Sequence, residues 1–285
     1  MDWDEFQDWG EKISAWAARY YRTLPDQPVR AQTPPGAIAA QIAPSPPETG
    51  EAMEGILADF ERIIMPGITH WQHPRFFAYF PANAAPPSML AEFLVTTIAA
   101  QCMLWQTSPA ATELEGKMVD WMAQAMGLEG MTGVIQDSAS SATLSAVLTM
   151  RERATGFTGN RDGLSGKGAL RIYCSEECHS SIDRACWVAG IGQQNLVKIG
   201  TKGPHFSMDG DALARAIEAD LAAGHVPAGI IAITGGTGIG ACDDLGAVAD
   251  VALRFDLYTH LDAAWAGSAM ICPDLRAPIW EGAER

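Results

Sequence analysis

The hydrophobic positions of residues 1–24 recur at three- and four-residue spacing, as on one face of an α-helix. The members of this face are Trp3, Phe6, Trp9, Ile13, Trp16 and Tyr20. Such an aromatic face predicts packing on another subunit or ordinary burial in a core, and the pattern leaves both open. Residues 25–50 contain seven prolines and predict an extended connector, because proline interrupts helices and central strands. A second helix is predicted over about 48–64.

From residue 86 onward, helical periods alternate with short β-branched runs. The predicted helices cover 87–105, 111–127, 138–153, 179–190, 209–223 and 243–254, and the predicted strands cover Arg171–Cys174, Leu196–Ile199, Gly229–Thr234 and Leu257–Leu261. This alternation indicates an α/β fold with a mostly parallel sheet and helices on both faces. Such sheets bind ligands beyond the carboxyl ends of their strands, so we expect the chemistry just after each strand.

Composition and charge narrow the class of protein. The chain has 285 residues, 48% of them hydrophobic, which is enough for a sizeable core. Its formal charge of −15 argues against a nucleic-acid partner, because binding a phosphate backbone requires clustered Lys and Arg. The acidic amino terminus does not resemble a secretion signal, and the apolar stretch Phe93–Trp105 is too short to span a bilayer. We therefore expect a cytoplasmic protein without a membrane partner.

The six cysteines form no CxxC pair, and their scatter predicts reduced, mostly buried thiols rather than a disulfide framework. Cys174, Cys178 and His179 suggest a zinc site. However, a closed zinc site needs about four ligands, and no second pair of ligands follows. No metal is predicted.

Small and polar residues at 138–141 directly precede a predicted helix. Free backbone N–H groups at a helix start, with hydroxyls beside them, can bind a phosphate monoester. The serines could equally serve only as helix caps. The sequence leaves both roles open.

Two further candidates follow predicted strands. Asp262 ends a predicted buried strand, where a carboxylate needs a cation or several donors; a protonated pyridine nitrogen would suit it, and so would a simple turn. The small residues Ala263 and Ala264 would let a flat ring approach the backbone. His179 also lies past a strand end, where an imidazole can stack on an aromatic ring and contact a carboxylate, or merely cap a helix.

These sites and their order resemble the group II pyridoxal-phosphate decarboxylases, which include aromatic-L-amino-acid decarboxylase. Further resemblance lies in HPRFFAYFP at 73–81, SPAATELE at 108–115, MVDW at 118–121 and DAAWAGSAMICP at 262–273. The resemblance implies the large domain of the aspartate-aminotransferase-like fold (fold type I), with an amino-terminal helical segment and without the family's carboxy-terminal small domain. It divides the chain into a dimer-wrapping segment, 1–85, and a domain that binds pyridoxal 5′-phosphate (PLP), 86–285.

The resemblance also implies a reaction, the decarboxylation of an aromatic L-amino acid to its amine and CO2. The implied catalytic residues are His179, which would stack over the PLP ring, and Asp262, which would pair with the ring nitrogen. The other implied contacts are Ala139 and Ser140 to the phosphate, Thr237 and Ala264 to the cofactor, and Trp71, Tyr79, Phe80 and Pro81 to the substrate side chain. The implied partner is a second copy of the chain, or a second polypeptide that supplies the remaining half.

Several positions depart from the family pattern. Asp137 replaces a usual Gly and Ser141 a frequent Glu, and the charge of Asp137 should weaken phosphate binding if it faces the phosphate. Gly236 and Gly238 are expected to loosen the turn that carries Thr237. The family's Schiff-base lysine would fall after Arg285, and the last lysine here is Lys202. We therefore expect the chain to be inactive alone; a non-catalytic subunit of the same fold is the alternative.

A third hypothesis involves different chemistry. The run TGGTGIG at 234–240 follows a predicted strand and resembles a dinucleotide-binding turn, with Asp262 downstream to contact a ribose. The run is one residue short of the short-chain dehydrogenase pattern, and no Tyr-x-x-x-Lys follows. An NAD-dependent oxidoreductase is therefore the least favoured of the three hypotheses.

Overall fold

The computed structural model describes residues 1–80 and 84–276. Its contacts divide the chain into two compact units, Met1–Ala99 and Ala100–Arg285. Within the described ranges, no helix combines the length and the apolar character needed to cross a bilayer.

The first unit is helical, and its longest helix closely matches the predicted one. Helix α1 covers Trp3–Thr23, α2 covers Met53–Asp59 and α3 covers Pro86–Ile98. A capping box starts α1: the Asp2 side chain accepts from the Glu5 backbone, and the Glu5 side chain accepts from the Asp2 backbone. The helix predicted over 48–64 begins later than expected, at Met53, and α2 passes into a π-helical turn at Phe60–Ile64.

No residue of α1 is buried within this unit. Its carboxy-terminal half nevertheless packs on the unit, since the Trp16 ring lies 5.4 Å from that of Phe60 and the Tyr20 hydroxyl lies 2.8 Å from His70 Nδ1. At the other end Trp3 is 82% exposed. The aromatic face of α1 is thus only partly covered by its own chain.

The second unit contains the predicted parallel sheet, which has four strands in the order β2-β1-β5-β6, all parallel. The strands are β1 Leu170–Ser175, β2 Leu196–Ile199, β3 Thr201–Lys202, β4 Ser207–Met208, β5 Val226–Ile233 and β6 Tyr258–Asp262. The helices are α4 Pro109–Met126, α5 Ala139–Ala154, α6 Gly159–Asp162, α7 Ser181–Val188, α8 Gly210–Ala222 and α9 Leu245–Phe255. All four strands predicted after residue 86 are present, and the six predicted helices correspond to α3, α4, α5, α7, α8 and α9. The short helix α6 was not predicted. The small antiparallel β3–β4 pair was not predicted.

Helices cover both faces of the sheet. Side chains that alternate along β1 enter two different cores: Ile172 and Cys174 pack with α5 and α7, whereas Tyr173 packs with α8 and α9. A strand buried on both faces reads as a continuous apolar run, which is why β1 and β5 were recognisable in the sequence.

Candidate active site

Helix α5 runs antiparallel to the strands, and this direction determines where its amino terminus lies. Near its carboxyl end, Met150 packs on the middle of β5, so tightly that a Cβ on Gly229 would lie 2.5 Å from Met150 Sδ. One turn later, Arg153 is paired at 2.7 Å with Asp256, just before β6. From Ala139 to Met150 the helix rises about 16 Å, while β5 climbs about 13 Å between Gly229 and its end. The amino terminus of α5 therefore lies at the carboxyl edge of the sheet.

The start of α5 combines a cap with free donors. Ser138 is the N-cap, and its Oγ accepts from the Ser141 backbone N–H at 3.3 Å, so the capping role left open by the sequence is real for this serine. Ala139 and Ser140 are the first helical residues and are exposed. Backbone N–H groups in a first turn have no carbonyl partner within the helix. This turn can bind an anion in addition to being capped.

Asp262 occupies the last position of β6, in register with Ile233 of β5. Its Oδ1 accepts from the Ala264 backbone N–H at 3.2 Å, so one oxygen stabilises the turn after the strand. Among the described residues, no donor contacts Oδ2. Two positions earlier, burial lowers the pKa of His260, although the Asp262 charge opposes this shift. A neutral His260 leaves the Asp262 charge available for a cationic ligand.

His179 lies in the turn between β1 and α7, and its ring is fixed by Ser181. His179 Nδ1 accepts the Ser181 backbone N–H at 3.2 Å and lies 2.9 Å from the Ser181 hydroxyl. A neutral imidazole that accepts at Nδ1 carries its proton on Nε2. His179 can therefore present a flat ring face and a donor at Nε2. Because β1 and β6 flank β5, His179 and Asp262 follow strands at the same edge of the sheet.

The turn after β5 packs against the turn after β6. The Trp265 indole N–H donates to the Gly235 carbonyl, and a Cβ on Gly235, whose φ is +74°, would lie 2.6 Å from Ala266 Cβ. Two hydrogen bonds close the turn itself, from Gly236 N to Ala241 O at 2.7 Å and from Gly240 N to Gly236 O at 2.8 Å. Despite its glycines the turn has a defined shape.

Thr237 is exposed at the tip of this turn. The turn does not lead directly into a helix, since α9 begins only at Leu245. In a dinucleotide-binding fold the glycine turn opens the helix that receives the pyrophosphate. The local geometry therefore does not favour the NAD hypothesis.

Two polar residues beside the site were missed by the sequence analysis. The Thr234 hydroxyl is buried at the end of β5 and has no hydrogen-bond partner among the described residues. Asp243 is 1% exposed, and its two oxygens accept from the backbone N–H groups of Met208, at 2.7 Å, and Ile233, at 2.8 Å. Asp243 thus connects the carboxyl end of β5 to β4, a long-range contact with no local sequence signal.

Burial raises the pKa of Asp243 from 3.8 to about 6, against the effect of its two backbone donors. Because the folded-state pKa is the higher one, the stabilisation from this proton is complete below the unfolded pKa and is lost as pH rises through about 6. From about pH 5 to about pH 7.5 the free energy of unfolding should fall by roughly 1 kcal/mol more in the wild type than in Asp243→Asn. Urea unfolding of both proteins across this range measures the difference. Parallel pH profiles would contradict the assignment.

The aromatic residues proposed for the substrate side chain lie in the first unit. The Trp71 ring stacks on Phe76 at 4.9 Å and on Tyr79 at 5.4 Å between centroids. Phe80 is about half exposed. Pro81 lies outside the described residues. The structure thus brings Trp71 and Tyr79 together in one stack of rings.

Within the described part of the chain, no group of three or more His, Cys, Asp or Glu side chains is arranged to hold a metal ion. All six cysteines belong to that part, and none forms a disulfide. Cys174 and Cys178 do lie together, with their sulfur atoms 3.4 Å apart, but in contact with each other and not with the His179 ring.

Comparisons with known proteins agree on one family. The family profile described as pyridoxal-dependent decarboxylase conserved domain matches residues 35–285. The chain is 36% identical to 4-hydroxyphenylacetaldehyde synthase of Rhodiola rosea, over 97% of this chain and 57% of that protein. It is 38% identical to tryptophan decarboxylase TDC2 of Camptotheca acuminata, over 99% of this chain and 57% of that protein.

A solved structure matches the whole chain. The crystal structure of Oryza sativa TDC with PLP superposes with a TM-score of 0.93 at 33% identity, covering all of this chain and 62% of that one. The chain thus spans less than two thirds of the length of these relatives.

Proposed function

The chain belongs to the pyridoxal-dependent decarboxylase family, and from this premise we propose that it binds PLP at the carboxyl edge of its sheet and serves in the decarboxylation of an aromatic L-amino acid. The matching profile is that of a pyridoxal-dependent decarboxylase domain, and one of the relatives is a tryptophan decarboxylase. One observation carries the assignment of the site. The antiparallel course of α5 brings a helix amino terminus to the edge where β6 ends in Asp262.

The chemistry of these groups fits both ends of PLP. The phosphate would accept from the backbone of Ala139 and Ser140, and the Ser140 hydroxyl would add a donor. At the other end, Asp262 Oδ2 would accept from the protonated ring nitrogen, while Oδ1 keeps its bond to Ala264. Asp137 is exposed just before the N-cap. Water and salt would therefore screen its charge and reduce its repulsion of the phosphate.

His179 and the turns complete the proposed site. The His179 ring would stack over the pyridine, and its Nε2–H would donate to the carboxylate of the amino acid. Ala264 would lie beneath the ring, and Thr237 would contact the cofactor from the turn after β5. When bound, PLP supplies the electron sink that makes loss of CO2 from an amino acid feasible. Asp262 would keep the ring cationic before the reaction begins, which is a preorganised electrostatic contribution.

An aromatic substrate is the class that the chain's residues favour. Trp71 and Tyr79 form a ring stack, and Phe80 follows. Aromatic side chains bind a flat partner through offset or edge contacts. We propose that these residues, together with Pro81, contact the substrate in a homodimer whose amino-terminal segment wraps the neighbouring chain. The incomplete covering of α1 by its own unit supports that role.

Turnover needs a lysine that this sequence does not offer at the expected place. Its last lysine, Lys202, precedes β5 and β6. We therefore propose that the chain alone binds PLP without turning over substrate, and that activity requires a lysine supplied by further polypeptide. A non-catalytic subunit of the same fold is the second candidate.

The chain alone, and the chain extended by the coding sequence downstream of Arg285, should be incubated with PLP and tyrosine, tryptophan or dihydroxyphenylalanine. We expect PLP binding by both proteins and product only from the extended one. Amine and aldehyde should both be measured, because the named relatives include a decarboxylase and an aldehyde synthase. The extended protein carrying Asp262→Asn is the matched control.

The possible outcomes separate the hypotheses. PLP binding without product from the extended protein would favour the non-catalytic subunit. Failure of both folded proteins to bind PLP would overturn the proposal. Thermal protection by NAD and not by PLP would favour the oxidoreductase.

A further inference from the structure

Three cysteines and a lysine meet beside β1, outside the groups assigned to PLP. Cys174 lies on β1 opposite Lys198 of β2, Cys186 lies on α7, and Cys178 lies in the turn between β1 and α7. The Cys178 sulfur is 3.4 Å from that of Cys174 and 2.9 Å from Lys198 Nζ. Cys174 and Cys186 are buried, whereas Cys178 is partly exposed.

The charges around this cluster favour one thiolate. A hydrogen bond from Cys174 and the adjacent Lys198 ammonium lower the pKa of Cys178 to about 7, although burial and the Asp183 carboxylate, which pairs with Lys198 at 3.1 Å, oppose the shift. The pKa of Cys174 is raised by its hydrogen bond to Cys178 and by burial. Burial also raises the pKa of Cys186, to about 12. Near neutral pH Cys178 is thus the thiol of the cluster that is most readily ionised, while Cys174 and Cys186 stay neutral.

We propose that Cys178 and Cys174 form a peroxide-sensitive pair, in which the Cys178 thiolate beside Lys198 is oxidised and Cys174 then closes a disulfide with it. In the first step the Cys178 sulfur attacks hydrogen peroxide, an S–O bond forms, the O–O bond breaks and hydroxide leaves. In the second step the Cys174 sulfur attacks the sulfenic acid, an S–S bond forms, and the S–O bond breaks. The thiol proton of Cys174 leaves with the hydroxyl as water. The peroxide gains two electrons, and each sulfur supplies one.

The geometry allows the second step with a small movement. The two sulfur atoms must approach from 3.4 Å to about 2.05 Å. Cys174 is held in an inner strand of the sheet, whereas Cys178 lies in the turn between β1 and α7, so the approach would fall on Cys178. Cys186 contributes no sulfur within hydrogen-bond range of Cys178 among the described contacts, so the expected disulfide is 174–178.

The pair is next to a residue of the proposed PLP site, and this consequence rests on the proposed function. His179 directly follows Cys178, and its ring is held by Ser181. Drawing Cys178 towards β1 would displace the turn that carries the ring. Oxidation is therefore expected to weaken PLP binding, and reduction to restore it.

The oxidation can be tested on the chain without PLP. Trypsin releases residues 172–184 as one peptide that contains Cys174 and Cys178, whereas Cys186 falls in the next peptide. After brief exposure to hydrogen peroxide and blocking of free thiols, we expect peptide 172–184 to lose two hydrogen atoms in mass without alkylation. Dithiothreitol should reverse the change. In Cys174→Ala, dimedone should label Cys178 as a trapped sulfenic acid.

Lys198→Gln tests the cause of the reactivity. The pH at which alkylation of Cys178 is half-maximal should lie near neutrality in the wild type, and in the variant it should rise by about one pH unit or more. Lys202→Gln, which removes an exposed lysine paired with Asp209, is the matched control and should leave the profile unchanged. The exposed thiols Cys102 and Cys272 serve as internal references.

Several results would overturn the proposal. The first is alkylation of Cys178 with the same pH dependence as that of Cys102 and Cys272. The second is a disulfide that links peptide 172–184 to another peptide, and the third is oxidation of Cys178 that stops without a disulfide. Each of these results is measured on the wild-type protein, so poor folding of a variant cannot explain it. If PLP does not bind, the function proposed above fails. The thiol chemistry is still tested separately by the masses of the tryptic peptides.

Discussion

Asp262→Asn is expected to weaken PLP binding by about 30- to 150-fold. The change keeps the shape of the side chain and an oxygen that can accept from the Ala264 backbone, but it removes the charge that would face the ring nitrogen. A hydrogen bond to a charged group contributes roughly 2 to 3 kcal/mol, which corresponds to that range in Kd. Equilibrium dialysis or calorimetric titration of PLP into both proteins measures the effect. In an extended, active protein the rate should fall as well, since the ring would no longer be held cationic.

Asp256→Asn is the matched control for this experiment. Asp256 lies six residues earlier, is 93% exposed and pairs with Arg153 at the opposite edge of the sheet. Its substitution should leave the affinity for PLP unchanged. Both variants should unfold like the wild type in the absence of PLP. Wild-type affinity in a folded Asp262→Asn protein would show that the carboxylate is not the ring's partner.

The elements of the fold were predictable because their signals are local. The strands β1 and β5 are mostly buried, so their apolar runs stand out. The helix starts carry visible caps, such as Ser138 before α5 and Asp244 before α9. One prediction failed at a helix end. The helix expected over 87–105 stops at Ile98, where Ala99 takes a left-handed conformation with φ +50°. Alanine gives no hint of such a stop, since glycine is the usual residue there.

The candidate site was only partly predictable. Its positions after strand ends followed from the general geometry of parallel sheets. The sequence could not show that the Gly235 turn packs on Trp265, or that Asp243 joins β5 to β4, because these contacts connect segments that are distant in sequence or depend on tertiary packing. Likewise, the pairing of Cys178 with Lys198 depends on the register between β1 and β2.

The same limit applies to a buried polar network whose loss should have the largest effect on stability. Asp220 of α8 accepts from Arg171 Nε at 3.1 Å and from the Tyr173 hydroxyl at 2.8 Å, and both partners lie on β1. Asp220→Ala is expected to lower the free energy of unfolding by about 3 kcal/mol, because it leaves a buried hydroxyl and a mostly buried guanidinium without their acceptor. Chemical denaturation monitored by circular dichroism measures the loss.

Glu218→Ala, two residues earlier on the same helix, is the matched control. It measures the loss of stability that follows from removing any paired carboxylate of this helix. Glu218 pairs with Arg254 at the surface, where both side chains are about half exposed, so its loss should cost less than about 1 kcal/mol. Asp220→Asn should fall between the two alanine variants, since an amide oxygen retains one acceptor but not the charge. Equal losses for Asp220→Ala and Glu218→Ala would mean that water replaces the missing carboxylate at β1. In that case the network would not be what fixes α8 against β1.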